Sequence, residues 1–316
     1  MGVRSASPHY YLSTRSKGSR NPLNTVHKRY RIGALPWITP AIAVIFIMVL
    51  YPAYEMVKTS FMSIDGTGTS HGFTGLSNYR TLFRNPDLTA VMERTVIWTI
   101  TVVVATVLIS LPVAQILHAK FPGRRFVRYA LIVPWAASVV MTSTSWLWIL
   151  NGYYGVLNRI LLSLGLIQDQ IQFLGSPTQS FAWLIVVAVF VSVPFTTYVI
   201  LAGLTTIGED ILEASTVDGA SGWQRYKNII FPLLRPALLI GMVINLINVF
   251  NSFPIIWVMT TGGPGNSTDT TTTLAYKISF RNADIAQSAA MATINFGIIL
   301  LFIVLFLRVS RWREDS

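Results

Sequence analysis

The sequence contains no cysteine and few charged residues, and both features limit the kinds of protein that the chain can be. Without cysteine, the 316-residue chain can form neither disulfides nor thiolate metal sites. Its four histidines are scattered over tails and loops, without the spacing of a metal-ligand set. Only 12% of the residues are charged and 52% are hydrophobic, whereas about a quarter of the residues in soluble proteins are charged. This composition is typical of a protein embedded in lipid.

Charged residues are also missing from six long windows of the chain. Each window is long enough for a transmembrane helix, which needs about 20 apolar residues. The sequence therefore predicts an all-α integral membrane protein with six transmembrane helices. The predicted spans are Leu35–Val57, Thr95–Leu117, Tyr129–Leu150, Phe181–Leu204, Ala237–Met259 and Ile285–Leu307.

The positions of lysine and arginine predict the orientation in the membrane. Of the 24 in the chain, seven lie in the N-terminal tail, four in the loop after the second span, three in the loop after the fourth span and three in the C-terminal tail. Because positively charged segments stay in the cytoplasm, these segments and both termini are expected to be cytoplasmic. The net charge of +11 is then explained by topology and by contact with anionic lipid, and binding of nucleic acid is not expected.

The chain is expected to consist of a tail, a membrane domain and a second, short tail. Residues 1–34 are basic and rich in Ser, Asn and Gly, which predicts a disordered cytoplasmic tail. The apolar run that follows is too long for a cleaved signal peptide. Residues 35–308 form the predicted membrane domain, with a cytoplasmic loop at residues 205–236, and residues 309–316 form the C-terminal cytoplasmic tail.

The loop between the fourth and fifth predicted spans has the pattern of two short helices. Two capping boxes, in which a hydroxyl and a carboxylate or amide satisfy the open amides of a first helical turn, are predicted at Thr206 with Glu209 and at Ser221 with Gln224. A break is predicted at Gly219, because glycine readily adopts the left-handed conformation that ends a helix. We therefore expect this loop to be folded.

Three apolar residues, Trp223, Tyr226 and Ile230, fall on one face of the second of these helices. An apolar face needs a partner that covers it. The face either packs against the protein's own spans or docks into a groove on a separate cytoplasmic subunit. The residue pattern alone leaves both interpretations open.

Several segments resemble the permease subunits of binding-protein-dependent ABC importers, in the branch for carbohydrates and glycerol phosphate. Segments 75–79 (GLSNY) and 261–268 (TGGPGNST) are similar to two motifs of that branch. Ser215 stands where the family commonly has alanine. The residues that resemble the EAA-type loop of the family nearly position by position are Glu213, Ala214, Ser215, Asp218, Gly219, Ala220, Trp223, Tyr226 and Ile229.

The resemblance implies a type I ABC importer permease fold and a role as one subunit of a larger assembly in the bacterial cytoplasmic membrane. Residues 213–230 would form the coupling helix that docks into an ATPase subunit. The implied partners are a second homologous permease, a pair of ATP-binding subunits and an extracytoplasmic sugar-binding protein. ATP and Mg²⁺ would be held by the ATPase subunits, and this chain would bind no cofactor and would not be an enzyme.

The energy source is constrained by motifs that the sequence does not contain. No GxxxxGK[ST] loop occurs although the chain has 21 glycines, so the chain does not bind ATP through such a loop. Ion-coupled carriers usually bury charged relay residues in their spans, and the six charge-free windows contain none. No Ser-His-Asp set, paired carboxylate or metal cluster can be assembled. An ion-coupled carrier and a membrane-embedded enzyme are the two rival interpretations.

Polar residues inside the spans predict a substrate pathway. In the fifth span Asn245, Asn248 and Asn251 recur every three residues and share one side of the helix. Amides suit the hydroxyls of a neutral sugar and aromatic faces suit its CH surface, whereas amides in spans also join helices to one another. Pro194 and Pro254 predict bends or free carbonyls nearby. The candidate pathway residues, several of them implied by the resemblance, are Ser192, Phe195, Asn248, Phe250, Asn251 and Phe253.

The sequence gives weaker indications of the substrate class and of the role of the loop at residues 261–284, which is expected to face away from the cytoplasm. No Arg or Lys lies within the charge-free windows, which favours a neutral mono-, di- or oligosaccharide, with glycerol 3-phosphate as the alternative. Residues 261–284, rich in Gly, Thr and Asn, either line an entrance beneath the binding protein or form a solvated connector.

Overall fold

A computed structural model describes residues 37–311, and these residues are mostly helical. Within them, five helices are long and apolar enough to cross a membrane. The prediction of a helical membrane protein is confirmed at this level. The predicted N-terminal tail, residues 1–34, and the last residues of the C-terminal tail lie outside the described part of the chain.

The helices are labelled α1 to α12 in chain order, and the two strands β1 and β2. The first half comprises α1 Trp37–Thr59, β1 Met62–Ile64, β2 Ser70–Phe73, α2 Ser77–Phe83, α3 Asp87–His118, α4 Arg124–Ala136, α5 Val139–Ile149 and α6 Val156–Ser163. The second half comprises α7 Pro177–Thr205, α8 Glu209–Val217, α9 Gly222–Phe250, α10 Phe253–Thr260, α11 Thr271–Phe280 and α12 Ile285–Arg311. Helices α1 and α9 each contain one π-helical turn, at Phe46–Leu50 and Tyr226–Ile230.

The chain divides into two compact units, residues 1–55 and 56–316. The described part of the first unit is the apolar N-terminal portion of α1, and none of the most apolar 18-residue stretch of that helix is buried within the protein. An apolar helix of 23 residues without buried side chains needs an apolar surrounding, which a bilayer provides.

The second unit begins with an antiparallel hairpin, in which Met62 pairs with Phe73. The hairpin is fixed by the segment that follows it. The side-chain amide of Asn78 donates to the carbonyls of Ser60 (2.8 Å) and Met62 (2.9 Å). The hydroxyls of Ser60 and Tyr79 are 2.7 Å apart. Residues of the GLSNY segment therefore serve to attach the hairpin to α2.

The core of the second unit lies between α3, α7, α9 and α10. Trp98 on α3 is fully buried, and its indole Nε1 donates to the carbonyl of Val249 on α9 at 3.0 Å. Leu184 on α7 and Ile256 on α10 belong to the same apolar cluster. Dispersion contacts and interhelical hydrogen bonds of this kind hold helices together in lipid, where the hydrophobic effect gives little preference between protein and tails.

The third predicted span, Tyr129–Leu150, is wrong as a single helix. Helix α4 ends at Ala136, and α5 begins only at Val139, because Ala137 and Ser138 have extended backbone conformations. Pro134 in the last turn of α4 has no backbone N–H to donate, which weakens the helix at that point. The apolar run is therefore divided into two short helices.

The fifth predicted span, Ala237–Met259, also consists of two helices. Helix α9 starts well before the predicted span and ends at Phe250, and α10 starts at Phe253. The side chain of Asn251 donates to the carbonyl of Ile247 (3.0 Å) and so caps the end of α9. Pro254 occupies the first turn of α10, where a missing N–H costs nothing.

Residues 261–284 are folded, and the interpretation of this loop as a simple solvated connector is wrong. The loop contains α11, and Lys277 on that helix donates to the carboxylate of Asp269 at 2.6 Å and to Asn266 Oδ1 at 2.8 Å. Both members of the ion pair are buried. The hydroxyl of Thr273 donates to the other Asp269 oxygen, and Arg94 Nε of α3 donates to the Asp269 carbonyl, so the pair is enclosed by hydrogen bonds as a buried charge requires.

Candidate functional site

A cavity of about 440 Å³ lies where the two divided helices meet α7. The end of α4 and the start of α5 form one part of its wall, and the junction of α9 with α10 forms another. Ends of helices leave backbone amides and carbonyls without intrahelical partners, and divided helices of this kind are where membrane transporters place substrate sites. The polar side chains among the lining residues are Ser192, Asn245, Asn248, Asn251 and Ser252.

The structure brings four of the six predicted pathway residues to this cavity. Ser192 and Phe195 of α7 line it together with Asn248 and Asn251. Phe250 is buried on another side of α9, where it lines a separate apolar cavity between α3, α9 and α12. Phe253 packs its ring against the rings of Trp257 and Tyr276, with centroids 5.4 and 4.9 Å away.

The predicted spans did not indicate that Trp135 forms part of the cavity wall. Trp135, at the end of α4, stacks on Phe195 with ring centroids 6.2 Å apart and an interplanar angle of 22°. A flat aromatic surface suits the CH face of a sugar ring. Pro134 beside Trp135 was the available signal, because a proline inside an apolar run ends or kinks a helix near that point.

The buried amide of Asn245 is the most informative polar group of the cavity. Only 3% of this residue is exposed, and its side-chain Nδ2 has no hydrogen-bond partner among residues 37–311. A buried donor without a partner costs about 1–3 kcal/mol, so a group of this kind calls for a ligand or a strong structural reason. No Asp, Glu, Lys or Arg lines the cavity, which makes the site suited to a neutral, hydroxyl-bearing ligand.

The segment between α7 and the apolar part of α9 forms two helices, α8 and the start of α9, as predicted, but only one of its two predicted capping boxes is present. Ser221 Oγ accepts from the backbone N–H of Gln224 (3.3 Å), and Gln224 Oε1 accepts from the N–H of Ser221 (2.8 Å). The capping box predicted at Thr206 with Glu209 is wrong. Helix α8 has Gly208 at its N-cap, and Thr206, at the end of α7, donates its hydroxyl to the carbonyl of Gly203.

The predicted break at Gly219 is confirmed. Helix α8 ends at Val217, and Gly219 has φ of +75°, a conformation that glycine adopts without steric cost. The N–H of Ala220 donates to the carbonyl of Ser215 at 3.1 Å, which closes the helix end. Arg225 Nη1 then donates to Thr216 Oγ1 at 3.1 Å and ties α9 to α8. The two helices therefore form one connected unit.

The EAA-type residues divide between surface and interior. Ser215 is buried, with its hydroxyl donating to the carbonyl of Leu212. Ala220, Tyr226 and Ile229 are half-buried. The exposed members are Glu213, Ala214, Asp218, Gly219 and Trp223.

The apolar face of the second helix is shared between two surroundings. Ile230 packs on an apolar cluster of α3, α7 and α9, as the interpretation of packing on the protein's own spans requires. Trp223 is 71% exposed and stacks on Tyr226 with ring centroids 6.1 Å apart. Val217 at the end of α8 is also exposed. The interpretation of packing on the protein's own spans is therefore correct for Ile230, and docking of this face on a separate subunit stays a prediction.

The segment between α3 and α4 contacts the helix pair through one ion pair. Lys120 Nζ, in the turn between α3 and α4, is 3.0 Å from Glu209 Oε1 at the start of α8. The hydrogen bond from Lys120, and then its charge, lower the pKa of the Glu209 carboxyl below its ordinary value. In residues 37–311 no cluster of three or more His, Asp or Glu side chains is positioned to hold a metal ion.

Comparison with known proteins places the chain in a family. The sequence pattern of the family described as "Binding-protein-dependent transport system inner membrane component" matches residues 106–313. The chain is 40% identical to a probable ABC transporter permease protein of Brucella suis biovar 1, over 88% of this chain and 96% of that one. It is 30% identical to the trehalose/maltose transport system permease protein MalF of Thermococcus litoralis, over 91% of this chain and 97% of that one.

The fold has a counterpart among solved structures. A crystal structure of a bacterial alginate ABC transporter, in complex with an alginate pentasaccharide-bound periplasmic protein, contains a chain similar to this one with a TM-score of 0.76. The two are 20% identical, and the match covers 91% of this chain and 96% of the other.

The chain therefore belongs to the family of binding-protein-dependent ABC importer permeases, as its EAA-type loop predicted. It is a multi-pass protein of the inner membrane and a transport subunit, not an enzyme. Because the chain belongs to this family, the two rival interpretations, an ion-coupled carrier and a membrane-embedded enzyme, are excluded.

Proposed function

We propose that this chain is the permease subunit of an ATP-driven importer for a neutral sugar, and that the cavity between α4, α5, α7, α9 and α10 is its part of the substrate pathway. The observation that carries the proposal is the buried, unpartnered amide of Asn245, which faces this cavity together with hydroxyl, amide and aromatic side chains. The relatives with named substrates support a carbohydrate, because one is a trehalose/maltose permease.

The chain is proposed to cross the membrane six times, with α4 and α5 together making one crossing and both termini in the cytoplasm. The basic residues Arg124, Arg125 and Arg128 at the start of α4 support a cytoplasmic position for that end. A second homologous permease would complete the pathway. An external sugar-binding protein would deliver the substrate, as the periplasmic protein bound to the alginate transporter suggests.

The helix pair α8 and α9 is the proposed coupling element. A pair of ATPase subunits would hold ATP and Mg²⁺ and contact the exposed surface around Trp223 and Glu213. Because α9 extends as one helix from Gly222 to Phe250, through its π-helical turn, a displacement of the cytoplasmic end would be carried along it to Asn245 and Asn248 at the cavity. This continuity gives a physical route from ATP-driven closure to opening of the site.

The pathway is tested by Asn245→Leu, in the chain reconstituted with the subunits that co-purify with it. We expect ATP-dependent uptake of sugar to fall severalfold or more, because the donor for a substrate hydroxyl is lost. Asn295→Leu is the matched control, since Asn295 on α12 is also buried, has an unpartnered side-chain oxygen and lies away from the cavity. Equal uptake in both variants would contradict the assignment, as would uptake by the chain alone under an ion gradient.

The coupling role is tested by Gly219→Pro. Proline requires a φ near −65° and has no N–H, whereas Gly219 has φ of +75° and donates its N–H to the carbonyl of Thr216. We expect the variant to insert into the membrane and to lose uptake and stimulated ATP hydrolysis. Gly222→Ala is the control, because that position has ordinary backbone geometry and open space for a methyl group. Wild-type uptake by Gly219→Pro would refute the coupling role.

A further inference from the structure

Helix α6 and the loop before it carry an apolar surface that neither the cavity nor the coupling element explains. Tyr153 and Tyr154 precede the helix, and Val156, Ile160 and Leu164 follow along it. All five side chains are exposed, the two tyrosines by 68% and 72%. This surface begins only a few residues after Ile149, the end of α5.

The surface is held in a fixed orientation by the polar interior of the same segment. The buried side chain of Asn158 donates to the carbonyls of Gly152 (2.8 Å) and Ile171 (2.9 Å) and accepts from the N–H of Ile171 (3.1 Å). Asn151 Oδ1 accepts from the N–H groups of Tyr153 (3.0 Å) and Tyr154 (2.9 Å). A loop this well bonded presents its aromatic pair in a defined direction.

The circumference of α6 has three sectors instead of the two of an ordinary surface helix. Leu157 and Leu161 pack on the core cluster of the protein. Val156, Ile160 and Leu164, spaced by four residues, form one exposed apolar stripe, and Arg159 with Ser163 forms an exposed polar stripe beside it. The helix therefore contacts protein on one side, and its free side is divided between an apolar and a polar surrounding.

The interface of a bilayer, where acyl chains meet headgroups, offers an apolar and a polar surrounding at the same depth. Helix α5 carries exposed Val140, Met141 and Trp148 and belongs to a membrane span, so the stripe on α6 continues a surface that is already in lipid. Tyrosines at the end of a span are typical of this level, where the ring lies among acyl chains and the hydroxyl reaches water.

We propose that α6, with Tyr153 and Tyr154, is an interfacial anchor that lies in the plane of the membrane, with its apolar stripe among the lipid acyl chains and Arg159 among the headgroups. The anchor fixes the depth of α5, whose first residue, Val139, lines the cavity. The proposal depends on the membrane location of α5 and not on the substrate or on ATP. In the orientation given under the proposed function, the anchor lies in the outer leaflet of the membrane.

The test uses the absence of cysteine from the chain, which allows single spin labels without background. Ile160→Cys and Leu164→Cys place labels on the apolar stripe, and Ser163→Cys is the matched control on the polar stripe. Val140→Cys on α5 gives the value for a lipid-facing position. The full chain and its co-purified subunits are reconstituted in phosphatidylethanolamine–phosphatidylglycerol vesicles, and collisions with oxygen and with a water-soluble nickel chelate are measured.

We expect the ratio of oxygen to nickel collisions at Ile160→Cys and Leu164→Cys to be severalfold higher than at Ser163→Cys and to approach that of Val140→Cys. Ratios equal to that of Ser163→Cys would place the stripe in water, free for a soluble protein partner, and would overturn the proposal. Low collision rates with both reagents at the two stripe positions would also overturn it, because the stripe would then be covered by another subunit.

Discussion

Buried asparagines in this protein fall into two kinds that the sequence does not distinguish. Asn158 is almost fully buried and uses its side-chain oxygen and nitrogen in three hydrogen bonds to backbone groups. Asn245 is similarly buried, yet its Nδ2 has no hydrogen-bond partner in the part of the chain that the structure describes. The first residue is explained by the fold alone, whereas the second lines a cavity that has room for a ligand.

This difference makes a prediction about stability. Asn158→Leu would leave the carbonyl of Gly152 and both backbone groups of Ile171 without their partner, at a cost of about 1–3 kcal/mol for each group that water does not reach. We therefore expect a marked fall in the thermal unfolding midpoint of the detergent-solubilised protein. Asn245→Leu, the same chemical change, should leave the midpoint unchanged or raise it. Equal losses in the two variants would show that Asn245 is structurally bonded after all.

At the scale of elements, the sequence located the apolar segments well and their interruptions poorly. Hydropathy measures the transfer of side chains into lipid and is insensitive to helix continuity, so the division at Ala137 went unpredicted, and the division at Asn251 was predicted only as a bend or free carbonyls near Pro254. Pro254 carried the relevant signal, because proline is accommodated in a first helical turn more readily than in a helix interior.

The same limit applies to the candidate site. The four cavity residues that were predicted come from α7 and α9, whose polar positions stand out in apolar runs. Trp135 comes from a third element, and its stacking on Phe195 depends on how α4 packs against α7. A contact between distant segments of this kind leaves no trace in local periodicity. The helix cap at Ser221 was predictable because both of its partners lie within one turn.

The ion pair between Lys120 and Glu209 predicts a pH dependence of the coupling element. Because Lys120 lowers the pKa of Glu209, their attachment is fully present above the ordinary glutamate pKa and is lost as the pH falls through the lowered value. We expect the distance between spin labels at Ala119→Cys and Asp210→Cys to increase in that acidic range, measured by pulsed electron resonance. Lys120→Gln should show the longer distance at every pH. A distance independent of pH in the unmodified pair would contradict the attachment.

At the scale of the whole molecule, many apolar side chains face outward, and lipid explains most of them. Trp37, Met48, Leu108 and Phe126 are examples from three helices, each more than half exposed. The exposed Trp223 differs from them, because it lies on the helix pair α8 and α9, among charged and polar side chains, and not in the middle of an apolar span. Its surface is therefore the one that calls for a protein partner rather than for lipid.

The number of crossings decides which face each loop occupies. If α4 and α5 together cross the membrane once, Gln168 lies outside and Ser221 lies inside. If the divided pair does not cross, α7 starts from the inner face, and both positions exchange sides. Since both residues are exposed and the chain has no cysteine, Gln168→Cys and Ser221→Cys report the topology directly.

We expect a membrane-impermeant maleimide, applied to cells with a permeabilised outer membrane, to label Gln168→Cys and to leave Ser221→Cys unlabelled until the inner membrane is also opened. Thr67→Cys in the turn between β1 and β2 should be labelled in either case, because it follows the first crossing, and so it reports that the reagent reached the outer face. Labelling of Ser221→Cys in closed cells would place the helix pair outside, away from any source of ATP. That result would contradict both the six-span topology and the coupling role, because both proposals require α8 and α9 to lie on the cytoplasmic face, where ATP is available.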